Sequence, residues 1–378
     1  MSRVHLGDVA IEHKETCKED KSMYPIVGLE HLTPEQITLQ NWDLNTENTF
    51  TKVFRKGNIL FGRRRAYLKK AAVAPFDGIC SGDITVIEAK EDKIIPELLP
   101  FVIQNDDLFD FAVGKSAGSL SPRVKWTHLQ NYEFELPDKQ KQQELAKVLW
   151  AIEDTRKSYQ QLIKRTDELV KSQFIELFIE AKYGKCREPL KKYIEQIRGV
   201  SYKPKDLHPE KDDRSTVLLR ANNITSGQIN FGEVQYVDNS KVSENQIIRS
   251  GDILMCASSG SLDHVGKAAL CKENTFGMTF GAFCKLIRCK GTLLPGYVAS
   301  YFGSDECRES IMSLANGSNI NNLKNEHIDE LMIPIPEINV QKQFIDFLEQ
   351  SDKSKFELNR ALDELTATYK QIIKDNLG

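Results

Sequence analysis

The sequence predicts an α+β fold in which a β-rich domain followed by a long helix occurs twice. Residues 57–60 read GNIL, and residues 251–254 read GDIL. A glycine-serine pair that begins at residue 118 returns at residue 317, an offset of 199 residues. Two stretches of about 40 residues contain neither glycine nor proline. Self-similarity at a long period indicates an internal repeat, so we expect two equivalent domains.

The domain boundaries follow from the change between strand-like and helix-like segments. Short apolar runs rich in β-branched residues, such as 84–87, lie between glycine and aspartate turns and are typical of strands. Proline stands shortly before each helix-like stretch, where helices tolerate it, and Gly184 marks the end of the first. We therefore expect β-rich domains at 1–138 and 183–337, and long helices at 139–182 and 338–378.

Both predicted helices carry a single apolar stripe with the three-four spacing of a heptad seam. A helix of roughly 40 residues is ~60 Å long and needs a partner for its stripe. We expect the two helices to pair antiparallel as a coiled-coil spacer, with the two domains related by approximate two-fold symmetry. The alternative is that each helix packs on its own domain. The predicted seam consists of Leu145, Val148, Ile152, Tyr159, Ile163 and Val170 in the first helix, and Phe344, Phe347, Leu358, Leu362, Leu365, Tyr369 and Ile372 in the second.

Length and composition exclude several classes of protein. The chain has 378 residues, 40% of them apolar, which suits two or three globular domains. It lacks both the run of ~18–20 apolar residues of a membrane span and an apolar signal peptide at its start. The eight cysteines form no C-x-x-C pair and are expected to be free thiols. We therefore expect a cytoplasmic protein with no bound metal and no membrane partner.

The charge distribution allows a nucleic-acid partner only through a local cluster. The net charge is −3, without the basic surplus that nucleic-acid binders usually show. The segment Arg63-Arg64-Arg65, with Lys69 and Lys70, concentrates positive charge close to a predicted strand. Guanidinium forks donate pairs of hydrogen bonds to guanine or to phosphate. The alternative is a solvated, charged strand.

Three features together resemble the DNA specificity subunits of type I restriction–modification systems. They are residues 57–65 (GNILFGRRR), residues 77–84 (DGICSGDI), and the Leu-Pro and Ile-Pro pairs before the two long helices. The resemblance covers essentially the whole chain, in the order recognition domain, helix, recognition domain, helix. It implies a non-catalytic subunit that reads a bipartite target in double-stranded DNA, one half-site per domain. The helices would set the unread gap between the half-sites.

The resemblance also implies partners. Two methyltransferase subunits and the restriction (translocase) subunits would join the chain, and they would carry S-adenosylmethionine, ATP and Mg. The chain itself is expected to bind no cofactor. In place of the triple arginine, the second domain has the small and polar segment 256–261 (CASSGS). The two domains are therefore expected to read different half-sites by different chemistry.

The expected DNA contacts lie at the arginine segment, at the two repeated loops and at their counterparts. Small residues allow close approach of the backbone, asparagine can pair with adenine, and lysine suits phosphate. The alternative for the loops is capping of the following helix, which we favour for Asn321 or Asn322. The candidate contacts are Arg63, Arg64, Arg65, Tyr67, Lys69, Lys70, Lys115, Ser119, Arg123, Lys125, Ser258, Ser259, Ser261, Lys267, Ser318, Asn319 and Lys324.

Two other functions remain possible from the sequence. One is a two-headed scaffold that binds proteins without reading DNA, and the other is an enzyme such as a nuclease or a methylase. The chain contains no G-x-x-x-x-G-K-S/T phosphate loop, which argues against ATP hydrolysis. His128 and His327 match in the repeat, but neither has a second metal ligand nearby in sequence. We expect both to have structural roles.

Overall fold

The computed structural model of the chain describes residues 2–18, 21, 24–44, 47–180, 182–225, 227–315 and 322–378. The chain forms two compact units. The first contains Met1–Leu162 and Glu357–Gly378, and the second contains Ile163–Phe356. Both divisions fall inside a long helix, so each unit holds a β-rich part together with one segment of each helix.

The first unit contains a four-stranded sheet of order β2-β8-β5-β6, a three-stranded sheet of order β3-β7-β4, and the antiparallel ribbon β1-β9. The elements are β1 (Ser2–His5), α1 (Leu6–Val9), β2 (Ala10–Glu12), β3 (Ile26–Val27), β4 (Lys52–Phe54), β5 (Ile59–Gly62), β6 (Ala71–Val73), β7 (Gly78–Cys80), β8 (Ile84–Ala89), α2 (Leu99–Ile103), α3 (Asp106–Gly114), α4 (Trp126–Leu129), β9 (Glu133–Leu136) and α5 (Lys139–Phe174). Helix α5 continues into the second unit, where a π-helical segment, Ile175–Glu180, follows it.

The second unit contains two four-stranded sheets, of orders β11-β20-β17-β18 and β12-β16-β13-β19, and the two-stranded ribbons β10-β21 and β14-β15. The elements are β10 (Arg187–Pro189), β11 (Ile194–Arg198), β12 (Leu207–His208), β13 (Ser215–Leu219), β14 (Ile224–Thr225), β15 (Gln228–Ile229), β16 (Gln235–Asp238), β17 (Asp252–Cys256), β18 (Ala268–Leu270), β19 (Thr279–Phe280), β20 (Cys284–Cys289), α6 (Pro295–Phe302), α7 (Asp305–Ala315), α8 (Asn325–Asp329), β21 (Met332–Pro334) and α9 (Ile338–Leu377).

One sheet has the same construction in both units. In β2-β8-β5-β6 and in β11-β20-β17-β18 every neighbouring pair of strands is antiparallel. Strand β5 pairs Gly62 with Ile84 of β8, and β17 pairs Cys256 with Cys284 of β20. These pairs are the last of their ladders. They fix a residue-by-residue correspondence between the two units.

The repeated GNIL and GDIL segments form the same turn before a buried strand. Gly57 and Gly251 have φ angles of +90° and +81°, a conformation that favours glycine because it has no Cβ. In each unit the next side chain accepts a hydrogen bond of 2.8 Å from the backbone three residues earlier, through Asn58 and through Asp252. Asp252 is fully buried, and its carboxylate also binds Arg288. The turn thus starts each central strand in the same way.

A buried glutamine near the start of α5 joins this helix to its domain. Gln142 is 2% exposed. Its Oε1 accepts a hydrogen bond from the backbone N–H of Ile95 at 2.9 Å, and its Nε2 donates to the carbonyl of Pro137 at 2.8 Å. One side chain therefore connects the helix, the segment before it and a distant loop of the same domain.

The second unit repeats this connection at an offset of 199 residues. Gln341, near the start of α9, is fully buried. It accepts from the N–H of Leu294 at 2.8 Å and donates to the carbonyl of Pro336 at 3.0 Å. The sequence repeat is thus also a repeat of contacts.

The apolar core of each unit includes residues from both long helices. In the first unit, Leu149 of α5 and Ile373 of α9 belong to the same buried cluster as Phe101 of the β-rich part. In the second unit, Phe178 packs against Phe344 of α9 with ring centroids 5.3 Å apart. The long helices are therefore stabilised by burial against their domains, which a single stripe in water would not provide.

Within the second unit the two long helices also contact each other. The Nζ of Lys355 in α9 donates to Oδ1 of Asp167 in α5 at 2.7 Å. The rings of Phe174 and Phe344 lie 5.6 Å apart. From Asp167 to Phe174 the chain advances along α5, while their partners on α9 go back from Lys355 to Phe344. The two helices therefore run antiparallel in this unit.

The predicted seam residues differ in burial, and the prediction for one of them is wrong. Val148 is 47% exposed, and Leu149 is fully buried in its place. At this end α5 packs on its own domain, so its buried face does not follow the heptad spacing that a partner helix alone would impose. Leu145, Phe344 and Tyr369 are buried. Ile152, Tyr159, Ile163, Val170, Phe347, Leu358, Leu362, Leu365 and Ile372 are partly buried.

Replacing the buried glutamine should destabilise the first unit. In Gln142→Leu the N–H of Ile95 and the carbonyl of Pro137 lose their partner, and a buried unpaired polar group costs about 1–3 kcal/mol. We expect the free energy of unfolding, measured by urea denaturation, to fall by about 3 kcal/mol. The control is Gln143→Leu at the exposed neighbouring position, which should change it by less than about 0.5 kcal/mol. Equal effects of the two substitutions would contradict the role of Gln142.

Candidate DNA interface

The triple-arginine segment leaves the end of β5 beside the start of β8. The backbone N–H of Arg63 donates to the carbonyl of Asp83 at 3.0 Å, so the ladder continues for one residue beyond the two strands. Arg64 pairs with Arg123 in a short antiparallel bridge. Neighbouring backbone positions therefore carry Arg63, Arg64, Asp83 and Arg123, which we name the first strand-end cluster.

Asp83 is the electrostatic centre of this cluster. Nε of Arg123 donates to its Oδ1 at 2.7 Å and Nη2 of Arg123 to its Oδ2 at 3.3 Å, while Nη1 of Arg64 lies 3.5 Å from Oδ2. The hydrogen bond from Arg123 holds the pKa of Asp83 below its ordinary value of 3.8, with further contributions from the charges of Arg64 and Arg63. Three guanidinium groups around one carboxylate leave a local positive surplus in a chain of negative net charge.

The other cationic candidates near β5 have partners within the protein. Nζ of Lys69 donates to Oδ1 of Asp106 at 2.6 Å, and this bond raises the pKa of Lys69. Nζ of Lys70 donates to the carbonyl of Leu29 at 2.7 Å. Arg65 is exposed with a φ of +54°, and Tyr67 is 55% exposed. Lys69 and Lys70 thus serve the fold, whereas Arg65 and Tyr67 are accessible to a ligand.

The first repeated loop forms a hairpin next to the cluster. The backbones of Ala117 and Arg123 hydrogen-bond to each other in both directions, at 3.0 and 2.9 Å. Ser119 is exposed near the tip, and the neighbouring Leu120 is 92% exposed. The hairpin therefore projects small and apolar side chains beside the cationic cluster. Two candidates flank it: Lys115, whose Nζ lies 5.7 Å from the ring centroid of Phe111, and the exposed Lys125, which precedes α4.

The second unit has the same backbone arrangement with different side chains. The N–H of Ala257 donates to the carbonyl of Phe283 at 2.9 Å, as Arg63 does to Asp83. Ser258 and Asn322 form the bridge that corresponds to the bridge between Arg64 and Arg123. The ring of Phe283 is 69% exposed. Ala257, Ser258, Phe283 and Asn322 form the second strand-end cluster.

The remaining candidates of the second unit lie close to this cluster in the chain. Oγ of Ser259 accepts from the N–H of Ser261 at 3.3 Å, which fixes the turn after β17. Lys267 occupies the position of Lys70, because its carbonyl accepts from the N–H of Cys256 at 2.8 Å as that of Lys70 does in the first unit. Lys267 is partly buried and Ser261 is exposed.

The second repeated loop corrects one expectation. Helix α8 begins after Lys324, so Asn322 does not cap it; the side chain that completes this turn is His327, whose Nδ1 accepts from the N–H of Lys324 at 3.3 Å. The expectation that Asn321 or Asn322 caps this helix was wrong for Asn322, because the helix begins at Asn325 and its N-cap is Lys324. Lys324 is exposed. Ser318, Asn319 and Asn321 lie outside the described residues.

Sequence reasoning did not identify Asp83 and Phe283 as site residues. Asp83 belongs to a glycine-containing turn that predicts only a change of chain direction, and an exposed phenylalanine carries no sequence pattern of its own. Their role emerges from the register of two strands that are more than twenty residues apart in the chain. An alignment of the two repeats that placed residue 83 opposite residue 283 would have indicated it.

Comparisons with known proteins identify the family of the chain. A family model described as the type I restriction modification DNA specificity domain matches residues 3–165 and 200–366. The chain belongs to this family. The two matched ranges are two copies of the specificity domain, and one strand-end cluster lies in each copy.

Two relatives of this specificity family are similar in sequence over part of their length. The specificity subunit of the type I restriction enzyme StySPI of Salmonella potsdam is 33% identical over 194 residues, which are 50% of this chain and 42% of that protein. The EcoKI specificity subunit of Escherichia coli (strain K12) is 36% identical over 167 residues, 43% of this chain and 36% of that protein. The matched region thus spans less than half the length of each relative.

Solved structures show the same fold at low sequence identity. A type I specificity subunit from M. genitalium has a TM-score of 0.60 and 11% identity, over 100% of this chain and 96% of that one. A chain from a study of the assembly and conformational transition of a type I system has a TM-score of 0.60 and 18% identity, over 99% and 97%. The predicted mixture of helices and strands is confirmed. The coiled-coil spacer and the two-fold symmetry stay predictions.

The described part of the chain shows neither a membrane-spanning helix nor a metal cluster. Within these residues no helix is both long and apolar enough to cross a bilayer. No group of three or more His, Cys, Asp or Glu side chains among them is placed to hold a metal ion. The eight cysteines, all of them within the described residues, form no disulfide bond.

The ion pairs of Asp83 predict a pH-dependent contribution to stability. Because the native pKa of Asp83 lies below 3.8, the ionised carboxylate favours the folded state. Asp83→Asn should therefore be less stable than the unchanged chain at pH 7. The difference should persist down to about pH 4 and disappear as the pH falls through the native pKa.

Urea denaturation at pH 7, 5 and 3 measures this difference. Asp363→Asn, at an exposed position of α9, is the control and should show no such pH profile. If the loss of stability caused by Asp83→Asn instead grew toward low pH, the ionised carboxylate of Asp83 would not be what stabilises the folded state.

Proposed function

We propose that the chain is a non-catalytic DNA specificity subunit that reads a bipartite target, one half-site with each specificity domain. The observation that carries the proposal is the pair of family-model matches, each with a strand-end cluster on the same backbone framework. The two clusters differ at every side chain, as expected if the two half-sites differ. Specificity subunits of type I systems are non-catalytic.

The first strand-end cluster supports DNA as the ligand. Arginine forks bind guanine edges and phosphates in two-bonded geometry. A carboxylate that holds two such forks reduces the conformational entropy that they would lose on binding. The overall negative charge of the chain limits nonspecific attraction to DNA, which is mainly electrostatic. Recognition would then depend on the local surplus at the cluster.

The course of the two long helices supports the proposal that they act as a spacer. Helix α5 belongs to both units, as does α9, and each is joined to its own domain by a buried glutamine. Along a continuous helix the axial distance between two residues grows by ~1.5 Å per residue. In the proposal the two helices pair as an antiparallel coiled coil and set the length of DNA between the half-sites.

The proposal includes partner subunits. Two methyltransferase subunits and the restriction subunits would dock on the chain, and they would bring S-adenosylmethionine, ATP and Mg. The names of the relatives, which are specificity subunits of restriction enzymes, support this assignment. The exposed faces of the helices and the adjoining sides of the domains are the surfaces available for docking.

Selection from a random duplex library tests the proposal. The full chain with its methyltransferase subunits should enrich a split motif with a fixed internal gap. Enrichment of no motif, together with stable binding of proteins, would support the two-headed scaffold instead. Turnover by the chain alone, given DNA, metal and S-adenosylmethionine, would show that it is an enzyme.

The cationic cluster predicts a specific effect on one half-site. Arg64→Ala and Arg123→Ala should each weaken binding by about 1–3 kcal/mol if the side chain reads a base, and should relax the half-site of the first domain only. Arg165→Ala, at an exposed position of α5, is the control. Binding constants and the enriched motif are measured at one fixed salt concentration. An unchanged motif would remove these arginines from the site.

The spacer predicts that the gap depends on helix length. Inserting seven residues near position 160 and seven near position 359 adds ~10 Å to each helix, about three base pairs of DNA. We expect the same two half-sites to be enriched with a longer gap. An insertion of the same length in one helix only should disrupt pairing and abolish binding. An unchanged gap in the double insertion would exclude the spacer.

A further inference from the structure

We propose that the two strand-end clusters are equivalent base-pair readers, and that the first reads a G·C pair while the second reads an A·T pair. This inference rests on the proposed function, since it names the base pairs that each specificity domain takes. It depends on three observations: the backbone equivalence of the clusters, the chemistry of their side chains, and the exposure of Phe283.

The equivalence of the clusters follows from strand register. The ladder of β5 with β8 ends at the pair Gly62–Ile84, and the next backbone bond is from Arg63 to Asp83. The ladder of β17 with β20 ends at the pair Cys256–Cys284, and the next bond is from Ala257 to Phe283. Residues 63 and 257 therefore correspond, as do residues 83 and 283.

A third chain segment completes both clusters in the same way. In the first unit the N–H of Val124 donates to the carbonyl of Arg63 at 3.0 Å. In the second unit the N–H of Leu323 donates to the carbonyl of Ala257 at 2.7 Å. The residue before each of these donors, Arg123 or Asn322, forms the bridge to the strand end. Each cluster is thus built from three segments of its domain, and only the side chains differ.

The first cluster has the chemistry of a guanine reader. A guanidinium fork donates two hydrogen bonds to O6 and N7 of guanine, the commonest specific contact in the major groove. Asp83 binds Nε and Nη2 of Arg123, and it also lies next to Nη1 of Arg64. Asp83 is therefore a positioning residue that aims the forks, and the arginines make the base contact.

The second cluster has the chemistry of an adenine–thymine reader. An asparagine amide pairs with N6 and N7 of adenine, and an apolar ring contacts the methyl group of thymine. Asn322 is exposed and Phe283 is 69% exposed, and both belong to segments whose backbones bond to the strand end at residues 257 and 258. Ala257 is buried and Ser258 is partly buried, and neither covers the ring of Phe283. Neither side chain at these positions can donate a fork to guanine.

The exposure of Phe283 is best explained by a ligand. Its neighbour Cys284 is fully buried in β20, so the backbone that carries the ring is fixed. An exposed ring on a fixed backbone gains by burial against a ligand and loses little conformational entropy on binding. In the first unit the same position carries an ion-paired aspartate, so the backbone framework itself does not require an aromatic residue.

Modified bases in the enriched duplex test the inference. The full chain with its methyltransferase subunits first selects its motif from a random library, and each base pair of the motif is then altered singly. Replacing thymine by deoxyuridine removes only the methyl group, and replacing adenine by 7-deazaadenine removes only N7. We expect one thymine and one adenine of the second half-site at which these changes weaken binding by at least about fivefold.

Variants link each change to its side chain. Phe283→Ala should lose the preference for thymine over deoxyuridine at that position, and Asn322→Ala should lose sensitivity to 7-deazaadenine. Both should leave the first half-site unchanged. In the first half-site, replacing guanine by 7-deazaguanine should weaken binding of the unchanged chain. The same replacement should have no effect on the variant that lacks the guanine-reading arginine, which is Arg64→Ala, Arg123→Ala or the combined variant. Deoxyuridine in the unread gap is the control and should have no effect.

The positioning role of Asp83 has its own readout. Asp83→Asn should reduce the preference for guanine over 7-deazaguanine while the second half-site keeps its full preference. A merely structural loss would lower binding to both guanine-containing and modified duplexes equally. Circular dichroism of each variant confirms that the domain is folded.

The outcomes separate this inference from the proposed function. If no split motif is enriched, the proposed function fails and the inference fails with it. If a split motif is enriched, but Phe283→Ala weakens the thymine and deoxyuridine duplexes equally, the inference alone is overturned. The same holds if the first half-site contains no guanine that responds to loss of N7.

Discussion

The attachment of each long helix to its domain is the constraint on which the rest of the structure depends. The side chains of Gln142 and Gln341 each accept from a backbone N–H and donate to the carbonyl of a buried proline, and that of Gln341 also donates to the carbonyl of Thr292. An amide can do this because it is both a donor and an acceptor. Apolar packing around it would permit the helix to rotate or slide. These bonds specify the rotation of the helix about its axis and its position along that axis, and the helix therefore leaves each domain in a fixed direction.

The sequence predicted the repeated architecture better than the details of packing. The offset of 199 residues related the two glycine-serine loops and the two helix starts, and the structure adds the two buried glutamines at the same offset, while the GNIL and GDIL turns lie 194 residues apart. Val148 was misplaced because a heptad pattern assumes one partner, whereas the start of α5 packs on a globular core as well as on α9. Asp83 and Phe283 could not be predicted, since their roles come from strand register and not from local sequence.

The structure also explains how a chain of net charge −3 can carry a cationic site. Local pairing removes Lys69 from the surface charge through Asp106, while the first strand-end cluster gathers three arginines around Asp83. Charge is therefore concentrated by geometry and not by composition. A sequence count treats all lysines and arginines alike. The positions of carboxylates and of backbone carbonyls together decide which cations remain available to a ligand.

Under the proposed function, base reading and folding depend on different groups of the two clusters. The hydrogen bonds that shape each strand end are made by backbone groups, so their geometry does not depend on whether residue 83 or 283 is charged or aromatic. Phe283 and Asn322 are exposed, whereas Ala257 is buried. Where the first unit has arginine and aspartate, the second has serine and phenylalanine, so the same backbone bonds carry different donors and acceptors. In the proposal, specificity thus varies on a constant backbone, and the spacing between the two readers is a separate property of the helices.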